Sequence, residues 1–89
     1  MSQRSIKHVL KADALEEAGV GVPLVEIAGD CRVLVERHKG VLGYDDKKVW
    51  VRLSFGKLQI CGCGLKIVHM SKTQLVVSGQ IHGVVLQRS

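Results

Sequence analysis

From Leu24 onward, apolar and polar residues alternate along this chain. Val49, Val51, Leu53 and Phe55 share one parity, and Trp50, Arg52 and Ser54 the other. Successive side chains of a strand point to opposite faces, so this pattern describes a half-buried strand and excludes a helix. Leu24–Ala28 reads as a first strand turned at Gly29-Asp30. In a second, Cys31, Val33 and Val35 alternate with Arg32, Leu34 and Glu36. A bend at Lys39-Gly40 leads into Val41–Tyr44. Asp45-Asp46-Lys47 then supplies a turn, because Asp side chains bond readily to nearby backbone. Gly56-Lys57 allows a hairpin and Leu58–Ile60 returns from it. Gly62-Cys63-Gly64 loosens the backbone before Leu65–Met70, and Ser71–Thr73 turns again before Leu75 and Val77. Ile81 is followed by Val84 and Leu86, a change of parity. One extra residue near His82-Gly83, a β-bulge, restores the pattern and keeps Leu86 inward.

These segments predict an all-β domain over residues 22–87: a small antiparallel meander or sandwich of about seven to eight short strands. Val49, Val51, Phe55, Leu58 and Ile60 are echoed by Leu75, Val77, Ile81, Val84 and Leu86. The echo suggests two meanders packed face to face, with a short β-solenoid as the alternative. Residues 1–21 form an N-terminal leader. Ile6, Val9, Leu10 and Leu15 make a narrow stripe for a short helix ending at Gly19, and a frayed segment is the competing reading. With 89 residues the chain has room for one core and no second domain. Trp50, Phe55 and Tyr44 are its only aromatic residues, so Val, Leu and Ile must build that core.

Thirteen Lys and Arg against eight Asp and Glu give a net charge of +5. That balance favours an acidic partner or an anionic membrane surface. The cations are dispersed, so no nucleic-acid partner is expected. Cys31, Cys61 and Cys63 make an odd count, and the first residues lack the apolar run of a secretion signal. The expectation is a cytoplasmic protein with reduced thiols, without a membrane span of its own.

Few residues offer chemistry. Cys61-Gly-Cys63 could place two thiolates on one strand face, with Cys31, His69 and His82 elsewhere, but the spacing is not that of a zinc site. Buried, unreactive cysteines are the simpler reading. His38 has Glu36 two residues away and no nucleophile motif, so a structural role at the bend with Gly40 outweighs a catalytic one. Asp45-Asp46 beside Lys47-Lys48 reads as a solvated turn, and Gly62-x-Gly64 lacks the spacing of a phosphate loop. We therefore expect no catalytic residue, metal, cofactor or small-molecule substrate. On the face opposite the core, Leu34, Trp50, Val68, Met70 and Val76 stand where a solvated sheet would carry polar residues. They are the candidate partner-binding positions, unless the N-terminal segment or a second copy covers them.

Glu36-Arg-His-Lys-Gly-Val41, Tyr44, Val49-x-Val51, Gly56-x-Leu58-x-Ile60-x-Gly62, Leu65-x-Ile67, Leu75-x-Val77-x-Gly79-x-Ile81 and Val84-x-Leu86 form an ordered series. Together they resemble the YabP/YqfC family, and Pro23–Gly29 resembles its YqfC branch. The resemblance implies a small non-enzymatic sporulation protein of endospore-forming bacteria, acting in the mother cell. It also implies a membrane-protein partner: YqfD for YqfC-like members, YabQ for YabP-like ones. The protein would then be peripheral to the membrane through that partner. The family's usual Glu-Asn-His-Arg-Gly stands here with Arg37 for Asn and Lys39 for Arg. The residues leave two further expectations open, a self-assembling structural element and a weak binder of anionic lipid or nucleic acid through Lys47, Lys48, Arg52, Lys57 and Lys66.

Overall fold

The computed structural model describes residues 22–89, and the expected N-terminal helix lies outside them. Six antiparallel strands form one open sheet: β1 (Leu24–Ala28), β2 (Arg32–Glu36), β3 (Val41–Tyr44), β4 (Lys48–Leu53), β5 (Gly56–Met70) and β6 (Gln74–Arg88). Their order across the sheet is β1-β2-β6-β5-β4-β3, so β1 and β3 are its edges. The solenoid alternative is excluded, because all neighbouring strands run antiparallel.

The strand count falls short of the expected seven to eight for a definite reason. Gly62–Gly64 does not separate two strands, and neither does the stretch around His82-Gly83. β5 and β6 each run unbroken for 15 residues. A straight strand of that length would span about 46 Å at roughly 3.3 Å per residue. The longest extent of the molecule is 38 Å. The two strands bend instead, at irregularities in their shared ladder.

Those irregularities fall near the middle of the pair. Cys61 pairs with Gly83 and Gly62 with Ile81, which leaves His82 as the extra residue; the expected bulge is there. Cys63 pairs with Gln80 but Lys66 pairs with Ser78, so two residues of β5 face Gly79 alone. A third shift, between the Ile67–Val77 and His69–Val76 pairs, leaves Val68 unpaired. Bulges bend a strand and increase its twist. Here they divide the sheet into a first half, with β1, β2 and the adjoining ends of β5 and β6, and a second half built on β3 and β4.

One apolar cluster joins both halves. Val33, Val35, Leu75 and Val77 come from the first, and Val49, Val51, Leu58 and Ile60 from the second. All eight are completely buried. The echoing positions lie in one continuous sheet and not in two: Val84 and Leu86 pair with Ile60 and Leu58, whereas Leu75 and Val77 pair with Val35 and Val33 on β2. Val49, Ile60 and Val84 make one rung, and Val51, Leu58 and Leu86 the next. Leu86 keeps the inward parity but is 56% exposed at the end of its rung. The β4–β5 hairpin turns at Ser54-Phe55, not at Gly56-Lys57, because Leu53 pairs directly with Gly56.

A bulge leaves ladder donors unsatisfied, and buried backbone groups need partners. The turns of the two outer hairpins supply them. Gly62 N–H donates to the Lys47 carbonyl at 2.9 Å and Leu65 N–H to that of Asp46 at 2.8 Å. On the other side, Gly79 N–H donates to Cys31 at 3.2 Å and Ile81 N–H to Asp30 at 2.6 Å. The Asp45 turn is in turn held by its own side chain, whose Oδ1 accepts from Lys47 N–H and Lys48 N–H, each at 2.8 Å.

Two glycines let the bent strands approach. A Cβ on Gly62 would run into the Gln80 carbonyl oxygen, and one on Gly79 would sit 2.7 Å from that of Gly64. Gly79 also has φ +139°, a conformation that L side chains rarely adopt. Gly43 is different, because an added Cβ would meet only Trp50 Cδ1 at 3.8 Å. Gly62→Ala is therefore expected to lower stability by about 3 kcal/mol through backbone displacement. Gly43→Ala should change it by less than about 1 kcal/mol. Urea unfolding of both variants checks the contrast.

The bonds from Lys47 N–H, then from Lys48 N–H, hold the Asp45 carboxyl below its ordinary value of 3.8. A depressed folded-state value means the stabilisation is present above pH 3.8 and is lost as pH falls through the folded value. Asn can accept the same bonds without titrating. Acid unfolding of Asp45→Asn should show a shallower dependence on pH below 3.8 than the parent chain.

Candidate functional site

The link from β2 to β3 carries the chain from the first half of the sheet to the second, and is fastened on both sides. Arg37 N–H donates to the Thr73 carbonyl at 2.6 Å, in the β5–β6 turn. Lys39 N–H donates to Arg52 at 2.8 Å, and Arg52 N–H to Gly40 at 2.8 Å, on β4. That turn is itself organised by Ser71, whose N–H donates to Gln74 O at 2.7 Å. Its Oγ accepts from Gln74 N–H at 3.0 Å.

His38 sits at the centre of this corner, only 6% exposed. Its Nδ1 lies 2.9 Å from Gly40 N, which has a proton to give, so Nδ1 must be the acceptor. Nε2 therefore carries the hydrogen and donates it to the Ser71 carbonyl at 2.9 Å. Both ring nitrogens are committed to backbone, which leaves neither to take a proton from a substrate or bind a metal. The segment also contains the one non-glycine residue with positive φ among the described residues, Arg37 at 63°, followed by Gly40 at 125°.

Between the corner and the β5–β6 turn lies an open groove of about 660 Å³. Arg37, Lys39 and Lys72 line it with His38 and Met70, and no carboxylate does. It has the charge to hold an anion, but lacks a nucleophile partnered with a base.

The five outward apolar positions do not form one surface. Leu34 and Val76 are a cross-strand pair, both half-buried, on the outside of the first half. The β5 residue paired with Val76 is His69, and Val68 precedes it at the unpaired bulge position, 52% exposed. Met70 pairs with Leu75, so the bulge at Val68 has turned it onto the row of the core. There it is 57% exposed at the rim of the groove. Trp50 belongs to the other half, between Gly43 and Gln59, with Lys57 Nζ 5.4 Å from its ring centroid. The alternation around Trp50 marked it as outward-facing. Nothing in the sequence marks Val68 as a bulge, since no glycine stands there.

The cysteines are free, with Cys31 and Cys63 exposed. The Cys61 thiol faces the Gly83 carbonyl at 3.6 Å. Among the described residues no three His, Cys, Asp or Glu side chains gather into a metal-binding group.

Arg37 is strained by its left-handed conformation, which Asn tolerates far better. Arg37→Asn should stabilise the protein by about 0.5–1 kcal/mol. His38→Ala should cost about 2–3 kcal/mol, from two lost hydrogen bonds and a cavity at the corner. Thermal and chemical unfolding of the two variants tests both signs.

Comparison with known proteins adds one positive finding: residues 22–89 match the family model described as the YabP family. Neither the curated proteins nor the solved structures give a match.

Proposed function

The chain belongs to the YabP family, and on that premise we propose that it is a non-enzymatic interaction module of spore formation. Membership suggests a sporulation-related protein. Finer points belong to the proposal: the YqfC-like branch, action in the mother cell, and peripheral attachment to a membrane through a YqfD-like partner.

The observation that carries the interaction reading is the Leu34–Val76 pair. It places two apolar side chains side by side on the outside of the first half, with His69 across from Val76 on β5 and the exposed bulge residue Val68 just before it. Single exposed apolar residues are ordinary, whereas several on adjoining strands mark a surface that is covered in use. The commitment of His38 to backbone supports the non-enzymatic part. It explains a buried histidine in the family's Glu-x-His-x-Gly stretch by folding alone.

A second reading, self-association, draws on the open sheet. β1 and β3 are both edges, and an unpaired edge can accept another strand. β3 is short and carries an irregular register between Val41 and Gly43, features that discourage such pairing. β1 has a regular register with β2 and carries Ile27, 53% exposed, so the second copy would add there.

Co-purification with a YqfD-like membrane protein, after co-expression, tests the leading proposal. The parent chain should be retained, and Leu34→Asp with Val76→Asp should reduce retention at least tenfold while circular dichroism stays unchanged. Equal retention of a folded double variant removes the assignment of this face. Light scattering at high protein concentration separates the second reading, which requires a species larger than the monomer.

A further inference from the structure

The outside of the second half differs in chemistry from the Leu34–Val76 face. Residues paired across an antiparallel ladder project to the same side. The pairs Lys48–Cys61–Gly83, Trp50–Gln59–Val85 and Arg52–Lys57–Gln87 therefore make three outward rungs over β4, β5 and β6. Three cations stand on those rungs around a central tryptophan, with Val85 46% exposed two strands away. No carboxylate belongs to them. Asp45 lies in the preceding turn, where it interacts with Lys47 and Lys48.

We propose that this face docks on an anionic lipid bilayer surface, with Trp50 and Val85 at the headgroup level and Lys48, Arg52 and Lys57 against lipid phosphates and carboxylates. Four observations select that occupant. Tryptophan is the side chain best suited to the boundary between water and hydrocarbon, because its ring is apolar and its N–H polar. Cations beside an anionic leaflet gain attraction additively, so Lys48, Arg52 and Lys57 add theirs to the seating of Trp50 and Val85. The patch is also small. Nine outward residues at the strand spacing and rise of a sheet cover roughly 300 Å². A stable protein interface takes about 800 Å² from each partner. A strand of nucleic acid would want several rings to stack on. This face has one, and Lys57 lies over it at 5.4 Å.

The inference does not rest on the membrane-protein partner proposed above, since it uses other residues and another half of the sheet. Trp50 is the chain's only tryptophan, so its emission reports on this face alone. The full chain is titrated with vesicles of phosphatidylcholine, and with vesicles in which about a third is phosphatidylserine. Expected are a blue shift and protection from acrylamide with the anionic vesicles only, both reversed in half-molar salt. The double variant Arg52→Glu, Lys57→Glu should bind them at least tenfold more weakly, with its circular dichroism unchanged.

Absence of a shift with anionic vesicles at low salt overturns the inference. So does an equal shift with phosphatidylcholine alone, or unimpaired binding by the folded double variant. Displacement from the vesicles by low-micromolar single-stranded DNA or polyglutamate would also overturn it, by assigning the face to a polyanion other than lipid. The Leu34→Asp, Val76→Asp variant should bind vesicles like the parent chain. Loss of partner retention with vesicle binding intact, or the reverse, thus identifies which of the two readings has failed.

Discussion

Everything in this fold depends on the close passage of two backbones where β5 and β6 bend together. A single six-stranded layer has one face too many for so few apolar residues. Bending lets the inner faces of the two halves serve as each other's cover, and the eight completely buried Val, Leu and Ile side chains are the result. The bend demands glycine at Gly62 and Gly79, where a carbonyl oxygen occupies the place of a Cβ. It also disrupts ladder bonds, and the hairpin turns at Asp30-Cys31 and Asp46-Lys47 take them up. Those turns are thus structural members of the bend, even though their side chains look like solvated loop.

The same geometry explains which parts of the fold could be read from residues. Alternation located β1 and β3 with their ends, and the parity change after Ile81 located the extra residue His82. Gly62–Gly64 was misleading, because glycine signals both an interrupted strand and a strand passing close to another backbone. Only the pairing partner distinguishes these, and the partner lies about twenty residues downstream in sequence. The candidate surface was less legible than the fold. Leu34, Trp50, Val68, Met70 and Val76 share a polar-side parity only if every strand is regular. The bulge at Val68 moves Met70 to the core row, and the bend separates Trp50 from Leu34 and Val76. A side chain's parity is a local property, whereas the surface it joins depends on the whole sheet.

The conspicuous Glu36–Gly40 stretch is explained by architecture. One short link must leave the first half, cross to the second and satisfy its own backbone on the way. His38 spans the gap between the Gly40 N–H and the Ser71 carbonyl with its two nitrogens, one accepting and one donating. Arg37 stands in the left-handed region, φ 63°, so its position selects for backbone conformation before it selects for charge. On the outer surfaces, two patches of different chemistry face away from a shared core.

The strand order also has a temporal meaning. β2 is hydrogen-bonded to β1 and to β6, so the first hairpin finds its place in the sheet only beside the last strand. Contacts between residues this far apart in sequence form late and slowly in a folding chain. β3 to β6 can close as neighbours in succession, but the hairpin of β1 and β2 must wait with Val33 and Val35 uncovered. In that interval its exposed apolar side is the part of the molecule most open to capture by a chaperone or by another chain.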